Sequence, residues 1–148
     1  MPLKKISLLL RCVAVGAAVV SNVVHADEIG AGLDCHFGPH EFIEQLVEEG
    51  EIDPVPMKVS ENSVNVYRLR PNQNLTALGF KVQAVFGFSP NDDMFTQRTG
   101  GGEALHQVYG VVLMAGKGAV SEGIREMGSP ATVKEVMPLV MSAVVCEK

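Results

Sequence analysis

The sequence predicts an α+β fold: a curved, mostly antiparallel sheet of roughly five or six strands, with one longer and two short helices packed on one face. Three observations carry this. Thr76 to Ser89 (TALGFKVQAVFGFS) sets Leu78, Phe80, Val82, Ala84, Phe86 and Phe88 on alternate positions, the period of a strand with one apolar face. The stretch after Gly38 carries helical spacing instead, as do two shorter stretches near the C-terminus. The order of elements then reads strand, helix, several strands, two short helices and a closing strand, which segregates helices from strands.

The first 26 residues stand outside this fold. Lys4 and Lys5 precede a mostly apolar run from Ile6 to Val20, and Val24-His25-Ala26 supplies a small-residue cleavage site. That three-part pattern is a secretory signal peptide. Arg11 interrupts the run, so it is too short and broken for a stable membrane anchor. The expected product is one domain over residues 27–148, periplasmic or secreted.

Composition bounds the partner class. The leader holds three of the 12 Lys and Arg and none of the 17 Asp and Glu, so the product carries nine cations against 17 acids, a net of −8. Such a chain repels nucleic acid and anionic membranes and steers basic proteins inward. Removing the leader also removes Cys12 and leaves Cys35 and Cys146, which in an oxidising compartment predicts a single disulfide. Closing so long a loop stabilises by about 4–5 kcal/mol on the chain-entropy picture.

In chain order, Leu33 to Phe37 reads as a short strand bearing Cys35. A helix starts at Gly38-Pro39, with proline at its first position and Glu41 in its first turn. Phe42, Ile43, Leu46 and Val47 form its buried stripe, and Gly50 ends it. Met57 to Ser60 and Ser63 to Arg70 form a hairpin about Glu61-Asn62, with a phase change between Val66 and Tyr67. Thr76 to Ser89 is the central strand, with Gly79 and Gly87 marking bends. Ser89 to Gly102 is a long loop. Ala104 to Ala115 is a covered strand. Val120, Ile124 and Met127 mark a short helix, and Ser129-Pro130 opens another with Val133, Val136 and Met137 as its buried side. Leu139 to Cys146 closes the sheet. One helix followed by an antiparallel meander resembles the cystatin-like topology in its element order.

Candidate chemistry is sparse. Cys35-His36, His40-Glu41 and Glu44 form the densest ligand-type set, and His40 and Glu44 share a helix face. A metal site on His36, His40 and Glu44 competes there with a solvated helix start whose acids suit the dipole. No serine sits in a nucleophile turn, and no Lys-Ser/Thr pair follows Gly100-Gly101-Gly102, so that run is not a phosphate loop. No cofactor is implied. Met94-Phe95 stand out as two large apolar residues in a polar loop, beside Asp92 and Asp93 and ahead of Arg98. They either plug the core or anchor in a partner's pocket, with the acids facing a basic rim.

The leading expectation is a non-catalytic exported binding protein that docks a basic protein partner through Asp92, Asp93, Met94, Phe95 and Arg98, as an inhibitor or immunity factor does. One alternative is a small metal-dependent hydrolase on His36, His40, Glu41 and Glu44, with His106 assisting. The other is a carrier of a small apolar ligand, in a pocket lined by Phe80, Phe86, Phe88 and Tyr109 with the three glycines as a lid hinge.

Overall fold

The structure, a computed structural model, describes residues 26–99 and 106–148. The predicted leader, apart from Ala26, and the Gly100–Gly102 hinge fall outside the described residues. Among those described, no helix is long and apolar enough to cross a membrane.

The fold is α+β with one large open sheet of eight strands. Its strands are β1 (Asp27–Glu28), β2 (Lys58–Val59), β3 (Asn65–Tyr67), β4 (Leu75–Ala77), β5 (Phe80–Phe88), β6 (Val108–Leu113), β7 (Thr132–Met137) and β8 (Met141–Glu147). Two α-helices of ten residues each accompany them, α1 (Pro39–Glu48) and α2 (Lys117–Glu126), with a 3-10 turn at Gly30–Asp34. The main strand order is β1-β4-β5-β6-β8-β7, and β3 joins the far end of β5 with β2 outside it. All pairs are antiparallel except β1 with β4.

β5 is the centre, as the sequence predicts, but it is shorter than Thr76 to Ser89. Leu78 (φ 55°) and Gly79 (φ 76°) turn the chain back, so Ala77 pairs with Phe80 and β4 is a separate strand. Two successive left-handed residues match the twist of a tight hairpin. Leucine dislikes that conformation, and the turn is held from outside. The Glu28 carboxylate accepts the Leu78 amide at 2.8 Å and the Gly79 amide at 3.3 Å.

Nor do the alternating residues share one face. An irregularity between Val82 and Ala84 shifts the phase, because Val82 pairs with Leu113 while Ala84 pairs with Val112. Val82, Val85 and Gly87 therefore face the helices, and Ala84 and Phe86 face the opposite side. Gly87 makes room on the helix side: an added Cβ would lie 2.9 Å from Ile43 and 3.2 Å from Phe95.

α1 packs over β5 and β6, where the Phe42 and Tyr109 ring centroids are 4.6 Å apart, and α2 packs over β7 and β8. Gly38 and Gly50 bracket α1 as expected, Gly50 at φ 76°. Leu33, Ile43, Tyr109, Val111, Leu113, Val120 and Val144 fill the interlayer at no more than 1% exposure.

Two further expectations are corrected. Leu33 to Phe37 is no strand: the 3-10 turn ends at Cys35, itself at φ 65°. The Cys35–Cys146 disulfide, closing a separation of 111 residues, thus ties this turn to β8. Ser129 to Met137 is not a second short helix but a turn followed by β7, the sheet's edge. Ser129 Oγ accepts the Ala131 amide at 3.0 Å and donates to the Leu33 carbonyl, a local turn with a tertiary anchor. Val136 and Met137, the expected buried side, are 52% and 47% exposed.

Candidate functional site

The Asp92 loop is built by its own first acid. Asp92 Oδ1 accepts the Met94 amide at 3.0 Å, and the Asp92 carbonyl accepts the Phe95 amide at 3.1 Å. This compact turn is fastened twice. Asp92 Oδ2 lies 2.8 Å from His40 Nδ1 on the first turn of α1. On the other side the fully buried Asn65 carboxamide donates to the Thr96 carbonyl at 2.9 Å and accepts the Thr96 amide at 2.9 Å. The Arg98 amide adds a bond to Ser63 Oγ at 2.9 Å.

Fastened in this way, the loop drives Phe95 into the core. It is 3% exposed, with its ring centroid 6.3 Å from that of Phe88. Of the two readings of Met94-Phe95, Phe95 is thus a plug. Met94 is half-buried, Asp92 is partly exposed, and Asp93 and Arg98 are exposed. Met94 floors a slot of about 270 Å³ against α1, lined by Ile43, Glu44, Val47, Glu48, Pro54 and Tyr67. The Tyr67 hydroxyl has no hydrogen-bond partner among the described residues, and burial, then the Asp92 charge, push its pKa up to about 12.

The solvent face of α1 is mostly acidic. Glu41, Glu44, Glu48 and the following Glu49 are exposed, and the helix holds no Lys or Arg. His40 sits between acids, with Nε2 3.7 Å from Glu44 Oε1. Its pKa is raised, chiefly by the hydrogen bond to Asp92, so protonation locks the loop to the helix.

His36 goes elsewhere. Its ring is 2.9 Å from Asp34 Oδ2 and its side chain is 84% exposed. Its backbone amide is the main cause of the lowered Asp34 pKa. His36, His40 and Glu44 therefore do not converge, and no described group of three or more His, Cys, Asp or Glu is placed to hold a metal. Both histidines pair with carboxylates, His36 with Asp34 and His40 with Asp92. His106 is exposed at the rim of a groove of about 280 Å³ on the sheet face opposite the helices, with Val64, Phe86, Val108 and Val145. The aromatic pocket expected of a carrier is not assembled. Phe86 lines that groove, Phe88 is buried against Phe95, and Tyr109 lies under the helices with its hydroxyl on the Gly32 carbonyl at 3.0 Å.

One constellation escapes sequence reasoning. Between β1, the 3-10 turn and the far flank of α1 lies a pocket of about 460 Å³, lined by Asp27, Phe37, Phe42, Leu46, Glu49 and Glu51 among others. Glu51 is 6% exposed, and its Oε2 has no partner among the described residues. A charged residue beside a helix-ending glycine reads as solvated, and nothing local marks it as buried.

No family model, curated protein or solved structure matches this chain. The cystatin-like order of elements accordingly carries no functional argument.

Proposed function

We propose that the chain is an exported, non-catalytic binding protein that docks a basic protein partner, as an inhibitor or immunity factor does. The observation supporting this is the slot beside α1: an apolar floor at Met94 and Val47, rimmed by Glu44 and Glu48 and continued by Asp92 and Asp93. A partner's Arg or Lys would lay its aliphatic stem on that floor and bring its charge to the rim. The leader pattern, the net charge and the Cys35–Cys146 bond are compatible with export.

The test is affinity capture from envelope extract, repeated with the charge-reversing pair Glu48→Lys and Asp93→Lys. The expected result is a cationic partner that binds the wild-type protein, weakens at raised salt and loses roughly tenfold or more in affinity to the variant, at unchanged melting temperature. A partner that binds the variant equally well, or none at all, overturns the reading. The open-face groove at Phe86 favours a second reading, a carrier of a small apolar ligand. Displacement of a bound apolar dye by Val145→Lys would support it.

A further inference from the structure

The pocket on the far flank of α1 joins two kinds of wall. Ile29, Phe37, Phe42 and Leu46 are apolar, Asp27, Glu49 and Glu51 are acids, and among the described residues no Lys, Arg or His lines it. Its other acid, Glu28, is committed to the Gly30, Leu78 and Gly79 amides. Glu49 Oε1 accepts a hydrogen bond from the Gln45 side-chain Nε2 at 3.0 Å. Arg70, on the neighbouring segment, directs its Nε to the Ile52 carbonyl at 3.1 Å.

Glu51 meets only another acid, Asp27, and its Oε2 has no partner among the described residues. Its backbone is fixed by bonds from its amide to the Leu46 carbonyl and from the Arg70 amide to its own carbonyl, both 2.9 Å. The residue lines the pocket at 6% exposure, with Oε2 buried and without a partner among the described residues. A buried carboxylate in that condition either takes a proton or takes a counter-charge. Burial first, then the hydrogen bond and charge of Asp27 and the charge of Glu49, raise its pKa. A bound cation offsets the negative charge of Asp27 and Glu49 and so favours the ionised carboxylate.

We propose that this pocket binds an organic cation with an apolar stem, an alkylammonium or guanidinium that brings its charge to Glu51 and Asp27 and lays its carbon chain on Phe37, Phe42 and Leu46. The volume suits a small molecule and far exceeds what a metal ion needs. Aromatic walls add a cation–π attraction that a hydrated metal would not use. The cation is either a free amine or a Lys or Arg side chain of a partner. Only the second source rests on the docking reading above.

The test is calorimetric titration of the purified full chain with agmatine, 1-pentylamine, 1-pentanol and a doubly blocked Lys-containing tetrapeptide. The expected result is saturable one-to-one binding of a cation, at least tenfold tighter than pentanol, and a tenfold or greater loss in Glu51→Gln. Binding of the free amines assigns a small-molecule site; binding of the peptide alone assigns a partner's side chain. Equal affinity for pentanol, full affinity in the variant, or no binding of any cation overturns the proposal. Should Glu51→Gln fail to fold, carbon-13 titration of the wild-type carboxyls decides. Agmatine must lower the Glu51 midpoint, and an unmoved midpoint overturns the site. A failed capture at the Asp92 loop leaves the free-amine arm standing.

Discussion

α1 is flanked by two slots of similar design that differ in the group buried at the base. On the Met94 side the base is a phenol, Tyr67, and on the Phe37 side it is a carboxyl, Glu51. Each has a polar oxygen without a partner among the described residues. An unpartnered neutral hydroxyl costs about 1–3 kcal/mol and stays neutral, since a pKa of about 12 lies beyond any physiological pH. An unpartnered carboxyl responds instead, by protonation or by recruiting charge. The Tyr67 flank is therefore a fixed surface and the Glu51 flank a titratable one.

The largest expected effect tests the fixed flank. Phe95→Ala should cost about 3–5 kcal/mol, read by urea denaturation, because it empties a core site and releases the floor of the Met94 slot. A loss below about 1 kcal/mol would show that the loop is not anchored as described, and the slot with it. Asp93→Asn, at an exposed position of the same loop, should leave the midpoint unchanged.

Glu51→Gln against Tyr67→Phe is the direct comparison. Tyr67→Phe should raise stability by about 1 kcal/mol at every pH, because a buried oxygen disappears. Glu51→Gln should act with pH. The folded-state pKa lies above the usual 4.5, so the folded chain holds this proton more tightly than the unfolded one. Wild-type stability should fall as pH rises from about 4.5 through the raised value, and the variant should lose that fall. Parallel pH–stability curves for wild type and variant would remove the distinction between the flanks.

The smallest effect concerns the clasp at His40. Its folded pKa is raised above 6.5, so its contribution is fully present below 6.5 and is lost as pH rises through the folded value. His40→Gln should flatten the stability curve over that window. The side chain is half exposed, so the change should be small, and a steep residual slope would point to another group.

Local pattern carried the sequence reading where local pattern decides the structure. α1 follows from its apolar spacing and glycine boundaries, α2 from its apolar spacing, and the hairpin of β2 and β3 from its turn residues. Cys35 and Cys146 do pair. The errors arose where distant residues decide. The turn at Leu78-Gly79 depends on a carboxylate 50 residues upstream, so Thr76 to Ser89 looked continuous. β7 fits helical spacing at Val133, Val136 and Met137 only because an exposed edge strand places little demand on side-chain order. Phe95 was legible as an anomaly, a large apolar residue in a polar loop, but Asn65, which holds its loop, was not. Glu51 was invisible for the same reason: β1 and the 3-10 turn fold across it from elsewhere in the chain.

The link between Cys35 and Cys146 also has a consequence for how the molecule is made. At synthesis rates of about 5–20 residues per second, a separation of 111 residues means that Cys35 exists for roughly 6–22 s before its partner does. Throughout that interval the one other thiol on the growing chain is Cys12. A disulfide closed within that interval would join Cys35 to Cys12, so the yield of correctly paired protein depends on oxidation waiting until the C-terminal strand has been made.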